Sequence, residues 1–264
     1  MFPSPAERTF KDTVLWRMVA AIPFLGLLAW GVYDYSDNHR FDPVLWSAVA
    51  VAGLVCAYAF IWAAARRITF HAEGLSYKSL VSDIDLPWTS ITETRYSQQQ
   101  INMGAHFGLI GVLLSAAASK GDSGQMFRTL EVVGQRKITF NSNIRNVAEA
   151  MQLVLQKVNP RIREQAERML SSGGTVAFGN VSLSPQGVIW KGKQPIPYNS
   201  IVKYRLDGPS LKIKSDGKWL NDISVNAKKV PNVFVLLDMI EQRRTALGSM
   251  TAAAMAGSSA GRYL

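Results

Sequence analysis

The stretch LPWTSI at residues 86–91 returns at 196–201 as IPYNSI, so a proline, an aromatic residue, a serine and an isoleucine recur at an offset of 110. The match has company. ITFHAEGLSYKS (68–79) lies over VSLSPQGVIWKG (181–192) at an offset of 113. Both read as apolar alternation, a turn, a glycine, then apolar, aromatic and lysine residues, the pattern of two strands joined by a short hairpin loop. Gly74 and Gly187 are set to supply a positive φ there. KITFN (137–141) matches DISVN (222–226) at an offset of 85, and a helical face follows each. Val147, Met151 and Val154 head the first face; Val233, Leu237 and Ile240 stand 86 residues on. Four blocks in one order point to a single unit used twice, strands closed by a C-terminal amphipathic helix.

The offset falls from 110 to 85 between the second and third blocks, so the first copy holds 25 further residues, which map to 101–125. Their centre carries Phe107, Leu109, Ile110, Val112, Leu113 and Leu114. It is too short to cross a bilayer. It reads either as an elaborated hairpin or short helix packed on its own domain, or as a segment docking on the bilayer or a partner.

Ahead of the first copy stand two apolar runs, 14–33 and 44–64, each of bilayer-spanning length. The polar link 34–43 carries Asp34, Asp37, Arg40 and Asp42 and keeps them apart. Arg8, Lys11 and Arg17 precede or open the first run, and Arg66 and Arg67 follow the second. Positive charge collects on the cytoplasmic side, so both termini are expected in the cytoplasm of a multi-pass protein of the plasma (cell inner) membrane. No small-residue cleavage site follows the first run, which argues for a retained hairpin rather than a signal peptide. The single cysteine, Cys56, lies inside the second run and excludes an intrachain disulfide. Gly53 and Ala57 are spaced to let the two runs pack closely.

The expected organisation is a tail over 1–13, a two-helix anchor over 14–67, and a first domain over 68–159. A linker helix follows over 160–174, opened by Asn159 as cap and Pro160 at the first helical position. A second domain covers 175–247 and a disordered tail 248–264.

The strand pair ITF…EGL after a membrane hairpin, then an apolar-Pro-Trp-x-x-Ile block, resembles bacterial pleckstrin-homology-like (PH-like) domain membrane proteins. The residues that carry the resemblance are Ile68, Phe70, Gly74, Leu75, Leu86, Pro87, Trp88 and Ile91. In the second copy they are Val181, Leu183, Gly187, Val188, Ile196, Pro197, Tyr198 and Ile201. It implies an α-helical transmembrane hairpin plus two tandem PH-like barrels of α+β, mainly-β class, each closed by a C-terminal helix. Most families of this kind have no assigned biochemical activity, and the shared motifs do not mark a catalytic site.

The residues themselves offer little chemistry. His39, His71 and His106 fall on different elements, with no metal-ligand spacing, so no metal or cofactor is expected. No serine sits in a nucleophile elbow, and the glycines at 104, 108 and 111 lack the lysine of a phosphate loop. Charge says more. Of the net charge of +10, residues 173–264 carry twelve basic and five acidic side chains. In LKIKSDGKW, Lys212 and Lys214 alternate with Leu211 and Ile213, with Lys218 beyond the turn. Lys191, Lys193, Lys203 and Arg205 lie on neighbouring predicted strands. This is either an ordinary solvated face or a surface for anionic lipid headgroups or an acidic partner. A tethered domain without a nucleic-acid motif is not expected to bind nucleic acid. The sequence therefore leads to a non-enzymatic, membrane-anchored scaffold or recognition protein, with an accessory subunit of a transport or secretion complex as the alternative. Its open partners are membrane lipids, a membrane or cytoplasmic protein, and a second copy of the chain.

Overall fold

A computed structural model describes residues 7–12, 14–39, 42–101, 125–217 and 219–260. Among them, fourteen strands form four antiparallel sheets, accompanied by four long helices. The chain divides into two compact units, Met1–Trp88 with Ser142–Ala150, and Thr89–Asn141 with Met151–Leu264.

The first unit holds one sheet in the order β1 (Arg8–Lys11), β2 (Arg67–Phe70), β3 (Gly74–Lys78), β4 (Asp83–Pro87). Residues 1–13, expected as a tail, therefore supply a strand. β1 pairs with β2 from Arg8 opposite Phe70 to Lys11 opposite Arg67. Its four residues alternate too briefly to be read as a strand in the sequence, yet Phe10 is buried edge-on against Phe70 at 5.3 Å. Leu75, Leu86 and Trp88 complete this core, and each apolar side chain of that size stabilises by about 1.5–3 kcal/mol when fully buried.

Helices α1 (Val14–Asn38) and α2 (Pro43–Ala65) lie in the chain between β1 and β2. Asp42 caps α2, its carboxylate accepting from the N–H groups of Val44 and Leu45, with Pro43 in the first turn. The helices meet through small residues: Gly31 faces Trp46 and Val49, and Gly53 faces the ring of Phe24. The stretch Pro43–Trp62 is long and apolar enough to cross a membrane. α1 runs past its expected end at 33 to Asn38 and takes in Asp34 and Asp37; its described residues make no such stretch.

The second unit begins with the sheet β5 (Glu93–Ile101), β6 (Gln125–Val133), β7 (Lys137–Asn141). Helix α3 (Val147–Ser171), mostly in this unit, leads to a sheet of β8 (Val176–Phe178), β9 (Val181–Ser184), β10 (Gly187–Trp190) and β11 (Ile196–Pro197). The sheet of β12 (Ile201–Asp207), β13 (Ser210–Ser215) and β14 (Ile223–Asn226) follows, and then α4 (Val233–Ala260).

Each half of the chain thus includes four strands, a 3₁₀ turn (Trp88–Ser90, Tyr198–Ser200), three strands and a long helix; the first half adds α1 and α2 between β1 and β2, and the second a further 3₁₀ turn at Ala227–Lys229. Gly74 stands opposite Pro87 as Gly187 stands opposite Pro197. Gly187 opens β10 rather than sitting in the turn, and what it meets is backbone: a β-carbon there would collide with the carbonyl oxygen of Ile196. Asn146 and Asn232, each just before a long helix, take left-handed φ angles of 57° and 55°. Their carbonyls accept the N–H groups of Ala150 and Leu236.

The compact units nevertheless cut across the copies. β5 to β7 belong with the second copy because side chains tie them to it. Asn232 Oδ1 accepts from the Thr94 N–H at 2.7 Å and the Thr94 hydroxyl at 3.2 Å, and its Nδ2 donates to the Thr92 carbonyl at 3.2 Å. Tyr96 lies edge-on to Phe234 at 5.1 Å, and Lys228 pairs with Glu131 at 3.0 Å.

Two expected boundaries are corrected. α3 does not restart at Pro160 but runs through it. A proline in a helix interior removes one hydrogen bond. Burial of Val154, Val158, Ile162, Ala166 and Leu170 at intervals of four residues holds one continuous stripe and outweighs that loss. Residues 248–260, expected as disordered, continue α4 to Ala260. Alanine and methionine are strong helix formers, and the stretch holds no proline. Arg163 on α3 bonds Glu167 at 2.8 Å and reaches Gln242 of α4 at 2.7 Å, with Asp238 alongside.

Candidate functional site

The basic residues of the second copy are sorted by strand register. On β12 and β13, Lys203 stands opposite Lys214 and Arg205 opposite Lys212. Their inward neighbours Leu211, Ile213 and Ser215 are buried, so all four cations share the outer face. Directly opposed like charges destabilise a strand pair by several tenths of a kcal/mol. One row is relieved: Asp207 accepts from Lys212 at 2.6 Å and from Arg205 at 3.4 Å. The Lys212 hydrogen bond and charge, helped by Arg205, hold the Asp207 carboxyl below its ordinary pKa. The other row has no such hydrogen bond; Asp207 acts on Lys203 only through charge at longer range. Among the described residues, no carboxylate forms an ion pair with Lys203 or Lys214.

β13 ends beside that row at Ser215, and the chain returns to the sheet at Ile223. The base of this connection is clamped, since the backbone N–H and the hydroxyl of Ser215 both donate to Asp222, at 2.7 and 2.6 Å. The Asp216 N–H reaches the Ser200 carbonyl at 2.7 Å. Above this fixed base stand Trp219, 94% exposed, and Leu220, 76% exposed. The basic reading of LKIKSDGKW passed over them. The signal was an apolar pair inside a stretch otherwise made of Asp, Gly, Lys and Asn, a place where neither residue can reach a core.

Lys191 and Lys193 do not join this face. They lie in the turn between β10 and β11, on another sheet. Lys191 has a φ of 49°, its N–H bonds the Asn180 carbonyl, and its ammonium sits 5.1 Å from the Trp190 ring centroid. Lys218 and the segment with Phe107, Leu109, Ile110, Val112, Leu113 and Leu114 lie outside the described residues, as does His106. What the structure adds is where that segment departs from. β5 and β6 pair over nine residues up to Ile101 opposite Gln125, so the 102–124 stretch leaves from the tip of a long hairpin. The matching hairpin of the second copy turns at Gly208 and Pro209.

A third surface is the helix pair. Leu25, Val32, Val44, Val51 and Leu54 are all exposed. Aromatic residues mark both of its ends. Trp30, Tyr33 and Tyr35 stand toward the link between the helices, and Tyr58 stacks on Trp62 at 6.5 Å toward β2.

Among the described residues, no group of three His, Cys, Asp or Glu side chains is arranged to hold a metal. A family described as a family of unknown function (DUF6585) matches residues 123–247. No curated protein and no solved structure matches the chain.

Proposed function

We propose that this protein is a non-enzymatic recognition or scaffold protein of the plasma (cell inner) membrane. α1 and α2 form its transmembrane hairpin, and two PH-like units present a basic face to anionic lipid headgroups in the cytoplasm. The alternation of a four-strand sheet, a three-strand sheet and a closing helix in each half supports the PH-like reading.

The pairing of β1 with β2 supports the hairpin. Strands that pair must lie on one side of a membrane. β1 precedes both helices and β2 follows both, so the chain crosses an even number of times between them. A lone crossing by α2 would strand β1 on the far side. With Pro43–Trp62 suited to crossing, two crossings fit and one does not. α1, with 25 residues, extends about 37 Å, enough for a core of about 30 Å. Arg66 and Arg67, beside the sheet, orient this end to the cytoplasm.

The observation that carries the lipid reading is the Lys203–Lys214 row, two directly opposed cations on a strand pair whose next connection holds the exposed Trp219 and Leu220. A basic residue near an anionic leaflet gains about 1 kcal/mol, so Lys203 and Lys214 together contribute on the order of 2 kcal/mol. Tryptophan favours the headgroup level, where one side of its ring is apolar and its N–H stays wet.

The test uses the full chain in nanodiscs, because a fragment starting at residue 68 would lack β1. Backbone hydrogen exchange over 201–215 should slow when phosphatidylcholine is replaced by phosphatidylglycerol. Salt should weaken the effect, and Lys203→Glu with Lys214→Glu should abolish it. Equal exchange in both bilayers at low salt would reject lipid recognition by this face and leave a protein partner, to be captured by crosslinking in native membranes.

A further inference from the structure

We propose that the loop between β3 and β4 inserts Leu80 and Val81 into the headgroup–acyl boundary beside the helix pair. The inference rests on the hairpin reading above but not on the basic face. It begins from two side chains with no burial to explain them: Val81 is 82% exposed and Leu80 47%. They stand in the sequence KSLVSD, at the tip of a turn closed by the Ser79 N–H on the Ser82 carbonyl at 2.8 Å and by the Ser79 hydroxyl, which accepts from the Ser82 N–H at 3.1 Å. The second copy puts lysine, glycine, lysine and glutamine in the matching turn.

Strand register fixes where this loop points. Lys11 pairs with Arg67, Arg67 with Lys78, and Lys78 with Asp83. These four residues form one row across the end of the sheet. Three segments leave the sheet beyond that row: the chain to α1, the chain from α2, and the 79–82 loop. The loop therefore projects from the end of the sheet to which both helices attach. Strands lie about 4.8 Å apart, so the loop is displaced sideways from the α2 junction by about 7 Å.

The depth also agrees. Tyr58 and Trp62 are the aromatic pair that fits the membrane–water interface at this end of α2. The helix rises about 1.5 Å per residue to its end at Ala65 and Arg66 is extended, so Trp62 stands up to about 11 Å from the sheet row at Arg67, with the headgroup layer between them. A loop reaching one or two residues beyond the row covers about 3–7 Å in the same direction. Its apolar tip then meets the headgroup region, with Lys78 and Arg67 behind it at the level of lipid phosphates. Arg66 is tied down next to them, paired to Asp12 at 3.3 Å and bonded to the Tyr77 hydroxyl at 3.3 Å. The junction is braced, so the loop makes a third point of attachment that fixes the tilt of the sheet against the bilayer.

The experiment places single cysteines in a Cys56→Ser background of the full chain and labels them with a polarity-sensitive fluorophore in phosphatidylcholine–phosphatidylglycerol vesicles. Leu54→Cys reports the helix pair, Val81→Cys the loop, and Ala72→Cys the exposed turn at the opposite end of the sheet. The Val81 label should shift to the blue relative to the Ala72 label. It should resist aqueous iodide and be quenched by lipids carrying a nitroxide near the headgroup. The Leu54 label should be quenched by nitroxides deep in the acyl chains. A Leu54 label in the acyl region with a Val81 label as wet as that at Ala72 would overturn the loop insertion and leave the hairpin standing. A wet Leu54 label would overturn both.

Discussion

Tyr198 donates its hydroxyl to the carbonyl oxygen of Ser184 at 2.8 Å, with both residues buried. In the other half, Trp88 donates its indole N–H to the carbonyl of His71 at 3.1 Å. His71 and Ser184 are 113 residues apart, the offset at which the surrounding strands align. Two different aromatic groups thus secure the same point of two sheets. Tyr198→Phe keeps the ring but leaves the Ser184 carbonyl without this donor. It should cost about 1–3 kcal/mol, read as a lower thermal midpoint of the full chain in detergent.

Burial pushes the Tyr198 and Tyr96 phenols above their ordinary pKa, with Arg243 and Arg128 respectively opposing the shift. A raised folded-state pKa leaves stability intact below about pH 10, where an unfolded tyrosine keeps its proton. Above that pH the unfolded chain ionises first, and stability is lost as pH rises toward the folded values. Denaturant midpoints measured from about pH 9 to 12 should fall, and the fall should be shallower in the double variant Tyr96→Phe with Tyr198→Phe.

Asn146 and Asn232 share a left-handed backbone but not a role. Asn232 makes two side-chain bonds to Thr94 of β5 and one to Thr92 just before it. Glycine accepts the backbone of either position and removes the side chain. Asn232→Gly should destabilise by about 2 kcal/mol or more, whereas Asn146→Gly should stay within about 0.5 kcal/mol. Chemical denaturation of the pair of variants makes the comparison.

Trp219→Ala should separate the two components of lipid contact. The lysines act through charge and weaken with salt, while the ring acts through burial and does not. Hydrogen-exchange protection of 201–215 by anionic bilayers should persist at low salt in Trp219→Ala and vanish at moderate salt. The unaltered chain should retain part of it there.

The sequence carried its own register. The glycine and proline positions that align the halves are the ones that pair across strands, Gly74 with Pro87 and Gly187 with Pro197. Alternation in LKIKS gave the outward face of Lys212 and Lys214, because a strand buried on one side must alternate. Which cations oppose each other was not legible, since the partner strand and its bulge after Ile201 decide that. β1 was hidden because four residues carry too little periodicity and their partner lies beyond two helices. Pro160 misled for a different reason. Local chemistry favours a helix start there, and only the stripe from Val154 to Leu170 reveals that packing prevails. The bonds of Asn232 to Thr92 and Thr94 link positions about 140 residues apart, for which no local pattern exists.

The placement of β1 has a consequence for biosynthesis. This strand leaves the ribosome ahead of its partner, which follows only after residues 12–66 have been made and, on the proposed hairpin, the helix pair has been handed to the membrane. Until then Phe10 has no Phe70 to rest against, and an unpaired strand edge faces solvent. The first sheet therefore closes only after the helix pair has been made, however early its opening residues appear. On the proposed hairpin, closure also serves as a check on insertion. A chain threaded with the wrong number of crossings holds its two strand segments in different compartments, never completes the sheet, and presents a persistently open edge to the quality-control machinery of the cell.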